Sequence, residues 1–82
     1  MPKPRKSSFS APYVAIVDRL IARRRDLGLT QAELAELYGE DQSFISRIER
    51  RQRRIDAYEL VRLCGTLKIE PAEVLANLPE DA

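Results

Sequence analysis

From Tyr13 onward, apolar residues recur at intervals of three and four. Ile16, Val17, Leu20 and Leu27, with Arg24 on the same stripe, trace one face of a first helix that Gly28 ends. Thr30 followed by Glu33 has the form of a capping box, and Leu34, Ala35, Leu37 and Tyr38 then define a short second helix closed by Gly39. Asp41 is placed to cap a third helix with Ile45, Ile48 and Glu49 on its inner face. Its outer face, Gln42, Ser43, Ser46, Arg47 and Arg50, is wholly polar. Asp56 with Glu59 repeats the capping signal and opens a fourth helix, with Ala57, Leu60, Leu63, Cys64 and Leu67 inward. Pro71 suits the first position of a fifth helix through Glu73, Val74 and Leu75 that closes before Pro79. No alternating pattern competes, so the expected fold is all-α, a compact five-helix bundle over residues 13–78. Residues 79–82 are read as a C-terminal tail. Residues 1–12, with two early prolines, a serine pair and Lys3, Arg5 and Lys6, are read as a flexible basic arm that lacks the apolar surface to order itself.

The chain has 82 residues, 44% of them hydrophobic, enough for one core and not for a multidomain enzyme. Lys and Arg total 14 against 13 Asp and Glu, a net charge of +1, so any basic surface must be local. Four arginines crowd into the five positions 50–54, whereas residues 56–82 carry six acids against Arg62 and Lys68. The molecule is polarised. The lone Cys64 cannot form an internal disulfide and lies on a core stripe as a small hydrophobe; without histidine, a transition-metal site would lack its usual ligands. No metal and no cofactor are expected. Glu33 and Glu36 lie on a solvent face with no nucleophile and base beside them, so the chain is not expected to be an enzyme. There is no apolar run of about 18 residues and no apolar stretch of a secretory signal, so a cytoplasmic protein without membrane association is expected.

The turn Tyr38, Gly39, Glu40, Asp41 is so short that the second and third helices must cross steeply, and Ala35 is small enough to allow it. Gln31 to Arg50, QAELAELYGEDQSFISRIER, resembles the helix-turn-helix motif of the phage repressor and Cro family, also called the XRE family. Leu34, Ala35, Gly39, Ile45 and Ile48 match the motif's leucine, alanine, glycine and two aliphatic positions, and the flanking segments extend the likeness over residues 13–78. A lambda-repressor-like helix-turn-helix DNA-binding domain is what this resemblance implies.

It further implies a transcriptional regulator whose third helix enters the major groove, leading with its N-terminal residues. The residue types suit base reading: Gln42 can pair bidentately with adenine, Ser43 and Ser46 accept or donate, and Arg47 reaches guanine or a phosphate. Gln31 matches a family position that contacts phosphate, and Arg50, Arg51, Arg53 and Arg54 stand where the family's loop follows the DNA backbone. A solvated helix surface and an ordinary basic loop are the plain alternatives. Lys3, Arg5 and Lys6 are read as a solubilising tail, with a minor-groove arm as the alternative. Arg23 and Arg25 are expected to face solvent.

Some residues depart from the family pattern. Glu40 replaces a small aliphatic residue, and Asp41 puts an acid where a serine or threonine cap often touches phosphate. Arg51 stands in place of a helix-ending glycine, so either the helix runs on or Arg51 accepts a left-handed conformation. Phe44 is bulky for its position and is expected to pack back onto the protein rather than meet a thymine methyl. Arg24 and Glu49 both fall on apolar faces and are expected to pair, as an Arg and Glu commonly do in this family.

The leading functional expectation is a sequence-specific repressor that binds double-stranded DNA as a homodimer on a palindromic operator, with half-sites ~34 Å apart. The dimer interface is expected on the fifth helix, through Pro71, Val74, Leu75 and Leu78, although those residues equally suit a core. The alternative is a helical protein-interaction module, of antitoxin or adaptor type, that does not depend on DNA.

Overall fold

The structure, a computed structural model, describes residues 10–81. Its elements are α1 (Ala11–Asp26), α2 (Gln31–Tyr38), α3 (Gln42–Glu49), α4 (Ala57–Leu67) and α5 (Pro71–Leu75), with no strand among the described residues. The cap residues account for the starts. Thr30 Oγ1 accepts from the Glu33 amide at 3.0 Å while the Glu33 carboxylate accepts from the Thr30 amide at 2.8 Å. Asp56 and Glu59 repeat this reciprocal pair at 2.7 and 3.0 Å, and Asp41 Oδ1 accepts from the Phe44 amide at 3.1 Å. Each pair satisfies amides that the helix itself leaves without partners.

The first helix begins earlier than its apolar stripe suggests. Ser10 caps it by accepting from the Tyr13 amide, and Pro12 falls within the first turn, where a missing N–H costs nothing. Residues 10–12 therefore belong to the cap and first turn of α1, not to the expected arm. Lys3, Arg5 and Lys6 lie outside the described residues.

Each of the five helices is followed by a residue in the left-handed conformation: Gly28, Gly39, Arg51, Lys68 and Asn77. Gly39 closes α2 at φ 97°, which favours glycine, with its amide donating to Ala35 O at 2.8 Å. Arg51 and Lys68 adopt φ 61° and 56° although both carry a Cβ. At Arg51 the departure from the family pattern resolves in favour of the left-handed form. The Arg51 amide donates to Ile48 O and the Gln52 amide to Arg47 O, so α3 stops instead of running on.

The core gathers Leu20 from α1, Leu34, Ala35 and Tyr38 from α2, Phe44, Ile45 and Ile48 from α3, Leu63, Cys64 and Leu67 from α4, and Val74 from α5. Ala35 is 2% exposed, consistent with the close crossing of α2 and α3 that a larger residue would block. Ala57, expected inward, is exposed at the first turn of α4, before that helix meets the core. Burial also pushes the Cys64 thiol above its ordinary pKa, leaving it a packed apolar group and not a nucleophile.

Candidate nucleic-acid interface

The polar face of α3 is set by what lies behind it. Phe44, Ile45 and Ile48 anchor the helix in the core, so Gln42, Ser43 and Arg47 are left exposed and Ser46 half-buried at the margin. Gln42 is the first residue of the helix. Here backbone amides without intrahelical partners give positive potential, and a side chain can project beyond the helix end.

Behind Gln42 runs a chain of polar contacts. Arg24 and Glu49, both nearly buried, form a two-pronged ion pair: Nε to Oε2 at 2.7 Å and Nη2 to Oε1 at 2.9 Å. Arg24 Nη1 also donates to Leu29 O at 2.8 Å, tying α1 to the turn before α2. Gln31 Nε2 donates to Glu49 Oε1 at 2.9 Å. Because a carboxylate only accepts, this contact turns the Gln31 carbonyl the other way, where it accepts from Gln42 Nε2 at 3.5 Å. The core ion pair thus connects through Gln31 to the exposed end of α3. Gln31, expected to meet a phosphate, has its amide nitrogen committed inside the protein.

The acid at the helix start is similarly occupied. Asp41 accepts from Ser43 Oγ at 2.9 Å and from the Phe44 amide, and these two bonds hold its carboxyl below the usual range. Asp41 therefore stays ionised beside the polar face of α3. The Ser43 hydroxyl spends its proton on Asp41 and faces outward as an acceptor. Phe44, 7% exposed, is packed back onto the protein and stacks on Tyr38 with centroids 5.4 Å apart.

The arginine loop divides. Arg50 is exposed at the end of α3, and Arg54 is exposed with its guanidinium 5.0 Å from the Tyr13 ring centroid. Arg51 stands 4.0 Å from Asp18 in a loose, exposed pair. Arg53 differs. It grips Glu59 through two bonds of 2.8 and 2.9 Å and lies 4.6 Å above the Phe44 ring centroid. These contacts tie the loop at Arg53 to α4 and to the Phe44 ring, while its side chain stays 34% exposed.

Three arginines with structural roles were not visible as such in the sequence. Arg19 donates to the Val74, Ala76 and Asn77 carbonyls at 2.9, 2.6 and 3.3 Å, closing the end of α5. Arg23, expected to face solvent, donates to the Leu67 and Lys68 carbonyls at 2.9 Å each, at the end of α4. Arg62 donates to Tyr38 O at 2.6 Å, at the end of α2, and stacks 4.1 Å from the Tyr38 ring centroid. In each case a cation meets the negative end of a helix. The spacing of Arg19 and Arg23, one turn apart on α1, puts them on one face; nothing local shows that helix ends lie opposite.

The expected dimer residues also separate. Val74 is 0% exposed and belongs to the core, so it cannot form an intermolecular surface. Leu75 is 43% exposed, and Pro71 and Leu78 are half-buried.

Comparison with known proteins agrees with this arrangement. A helix-turn-helix family model matches residues 20–74. An XRE-family like protein from Pseudomonas syringae pv. tomato is similar in structure, with 38% identity, 80% of each chain covered and a TM-score of 0.76. The restriction-modification controller protein C.AhdI from Aeromonas hydrophila matches at 38% identity over 74% of this chain and 92% of its own, with a TM-score of 0.68. The P22 c2 repressor, solved with a synthetic operator, matches at 30% identity over 74% of this chain and 92% of its own, with a TM-score of 0.64. Among curated proteins none matches. With α2 and α3 joined by a short turn and packed on one core, and with an outward polar α3 face, the chain belongs to the XRE-type helix-turn-helix family of DNA-binding transcription regulators.

Proposed function

We propose that the protein is a sequence-specific repressor that binds double-stranded DNA as a homodimer, placing α3 of each protomer in the major groove of a palindromic operator. The observation that carries this reading is Gln42. It stands exposed at the leading end of α3 and is braced from behind by Gln31, Glu49 and Arg24, so its amide is held outward for a base edge. Ser43, Ser46 and Arg47 complete the reading set. Arg50, Arg51 and Arg54 supply the backbone contacts, with Gln31 contributing through its position at the start of α2. That the P22 relative was solved with an operator supports duplex DNA as the partner.

A single domain of this size reads few base pairs, which favours two copies on two half-sites about one helical turn apart, ~34 Å. Leu75, with Pro71 and Leu78 beside it, is the apolar surface proposed for the contact between copies. Arg19 fixes the carbonyls on either side of Leu75, so that surface is rigid. Selection from random duplexes tests the reading. A palindromic consensus is expected, and log affinity should fall against log salt with a slope of about −3 to −4 per protomer. No retention of any duplex at low salt would contradict it.

A further inference from the structure

Arg53 and Glu59 belong neither to the reading face nor to the exposed part of the arginine loop, yet they are tied directly to the third residue of the recognition helix. Glu59 carries two loads. Its carboxylate accepts from the Asp56 amide at 3.0 Å, completing the cap of α4, and from both terminal nitrogens of Arg53 at 2.8 and 2.9 Å. Arg53 Nη1 also donates to the Arg54 carbonyl at 2.9 Å, which fixes the loop beneath it. So oriented, the guanidinium covers Phe44 at 4.6 Å. The Phe44 ring stacks on Tyr38 with an interplanar angle of 18°, and Arg62 covers Tyr38 at 4.1 Å.

The result is a layered stack of Arg53, Phe44, Tyr38 and Arg62 that joins the loop, α3, α2 and α4. Phe44 is one residue from Ser43 and two from Gln42. A small rotation of its ring about the helix axis would carry both reading residues with it. The guanidinium is planar by itself and lies over the Phe44 ring, and the two-pronged bond to Glu59 fixes where that plane sits.

We propose that Arg53 and Glu59 are positioning residues for sequence discrimination: together they clamp Phe44 and so set the angle at which Gln42 and Ser43 meet the base pairs. The inference rests on the reading of α3 as the DNA-reading helix, and assigns its accuracy to a pair that touches no DNA. It gives Arg53 a role opposite to that of a phosphate anchor. An anchor adds affinity to every duplex, whereas a positioning residue adds it to the correct sequence alone.

The test uses the full chain, a duplex carrying the selected consensus and a duplex of random sequence, each titrated across salt. Arg53→Gln and Glu59→Gln are compared singly and together. Glu59→Gln keeps an acceptor for the α4 cap, so it removes the charge without removing the capping group. Circular dichroism establishes that each variant is folded at the temperature of measurement. The expected result is a loss of about tenfold in the ratio of consensus to random affinity for either variant. The double variant should be no worse than the singles, the salt slope on random duplex should be unchanged, and Arg53→Lys should restore the ratio only in part. If Arg53→Gln instead weakens both duplexes equally and lowers the slope by about 0.9, Arg53 is a phosphate anchor and the proposal fails. Tighter random-duplex binding by Glu59→Gln would overturn it in the same way. Wild-type protein that retains neither duplex at low salt would overturn the DNA reading itself, a result distinct from either of these.

Discussion

Three of the four arginines of α1 and the arginines of the loop after α3 are the same residue put to different uses, the fourth, Arg25, being exposed as expected. Arg19, Arg23 and Arg24 all find acceptors inside the protein: the ends of α5 and α4 for the first two, and Glu49 for the third. Arg50 lies exposed, and the pair of Arg51 with Asp18 is long at 4.0 Å. What separates the groups is the local supply of acceptors, and neither charge nor density in the sequence. Helix C-termini face α1, whereas the loop runs past α3 with Arg53 alone gripping a carboxylate by two bonds among the loop contacts described. Near-neutral composition therefore conceals a division of labour: Arg19, Arg23 and Arg24 are spent on acceptors inside the fold, whereas Arg50 and Arg54 are exposed.

The largest effect should come from breaking the most buried member of the first group. Glu49→Ala leaves the Arg24 guanidinium uncompensated at 7% exposure, which costs about 3 to 5 kcal/mol. The melting temperature should drop by about 20 °C in a domain this small, and DNA binding should weaken because Gln31 loses its brace. An unchanged melt would show that the ion pair is not structural. Next is Arg23→Ala, which removes two bonds to the end of α4 and should cost about 1.5 to 3 kcal/mol with no change in the salt slope of DNA binding. A change in slope would move Arg23 into the DNA-facing group.

The loop should respond in the opposite sense. Arg51→Gly relieves a left-handed backbone at φ 61° and should stabilise the fold by about 1 kcal/mol, while affinity for every duplex falls and the salt slope shrinks by about 0.9. Thermal melts and titrations on one sample would show stability and binding moving in opposite directions. The smallest effect is one of acidity. Glu59 is held below the usual carboxylate range, first by the Arg53 hydrogen bonds and also by the Asp56 amide and the nearby Arg62 charge. A depressed carboxyl contributes stability that is complete above its unfolded value of about 4.3 and is lost as pH falls through the lower folded value. Glu59→Gln should accordingly flatten the acid limb of the stability curve and leave the neutral region's shape unaltered.

The helices were legible because their signals are local. Thr30 with Glu33, Asp56 with Glu59, and the apolar stripes between them lie within a turn or two of what they specify. The start of α1 is not marked by its apolar stripe, which begins at Tyr13, because the cap Ser10 and the first-turn residues Ala11 and Pro12 add nothing to that stripe. The candidate interface was legible in part. An unbroken polar face on α3 follows from periodicity, and the pairing of Arg24 with Glu49 follows from two charges on apolar stripes. The role of Arg53 did not follow. Its neighbours in sequence are mostly other arginines, and only the packing of α2 against both α3 and α4 brings Phe44 and Glu59 together around it. Arg19 and Arg23 were hidden by distance, since their acceptors are 44 to 58 residues away in the chain. Val74 and Leu75 are adjacent, and their opposite exposures, 0% and 43%, depend on how α5 rolls against the core, which five residues cannot encode by pattern.

Duplex selection carried out in parallel with wild-type protein and Gln42→Ala probes the exposed end of α3 most directly. The structure leads to the expectation that the variant relaxes one position in each half-site, adenine giving way to any base, while affinity for random duplex and its salt slope stay as in the wild type. An identical consensus from both proteins would contradict base reading by Gln42 and, with it, the placement of the α3 N-terminus in the groove.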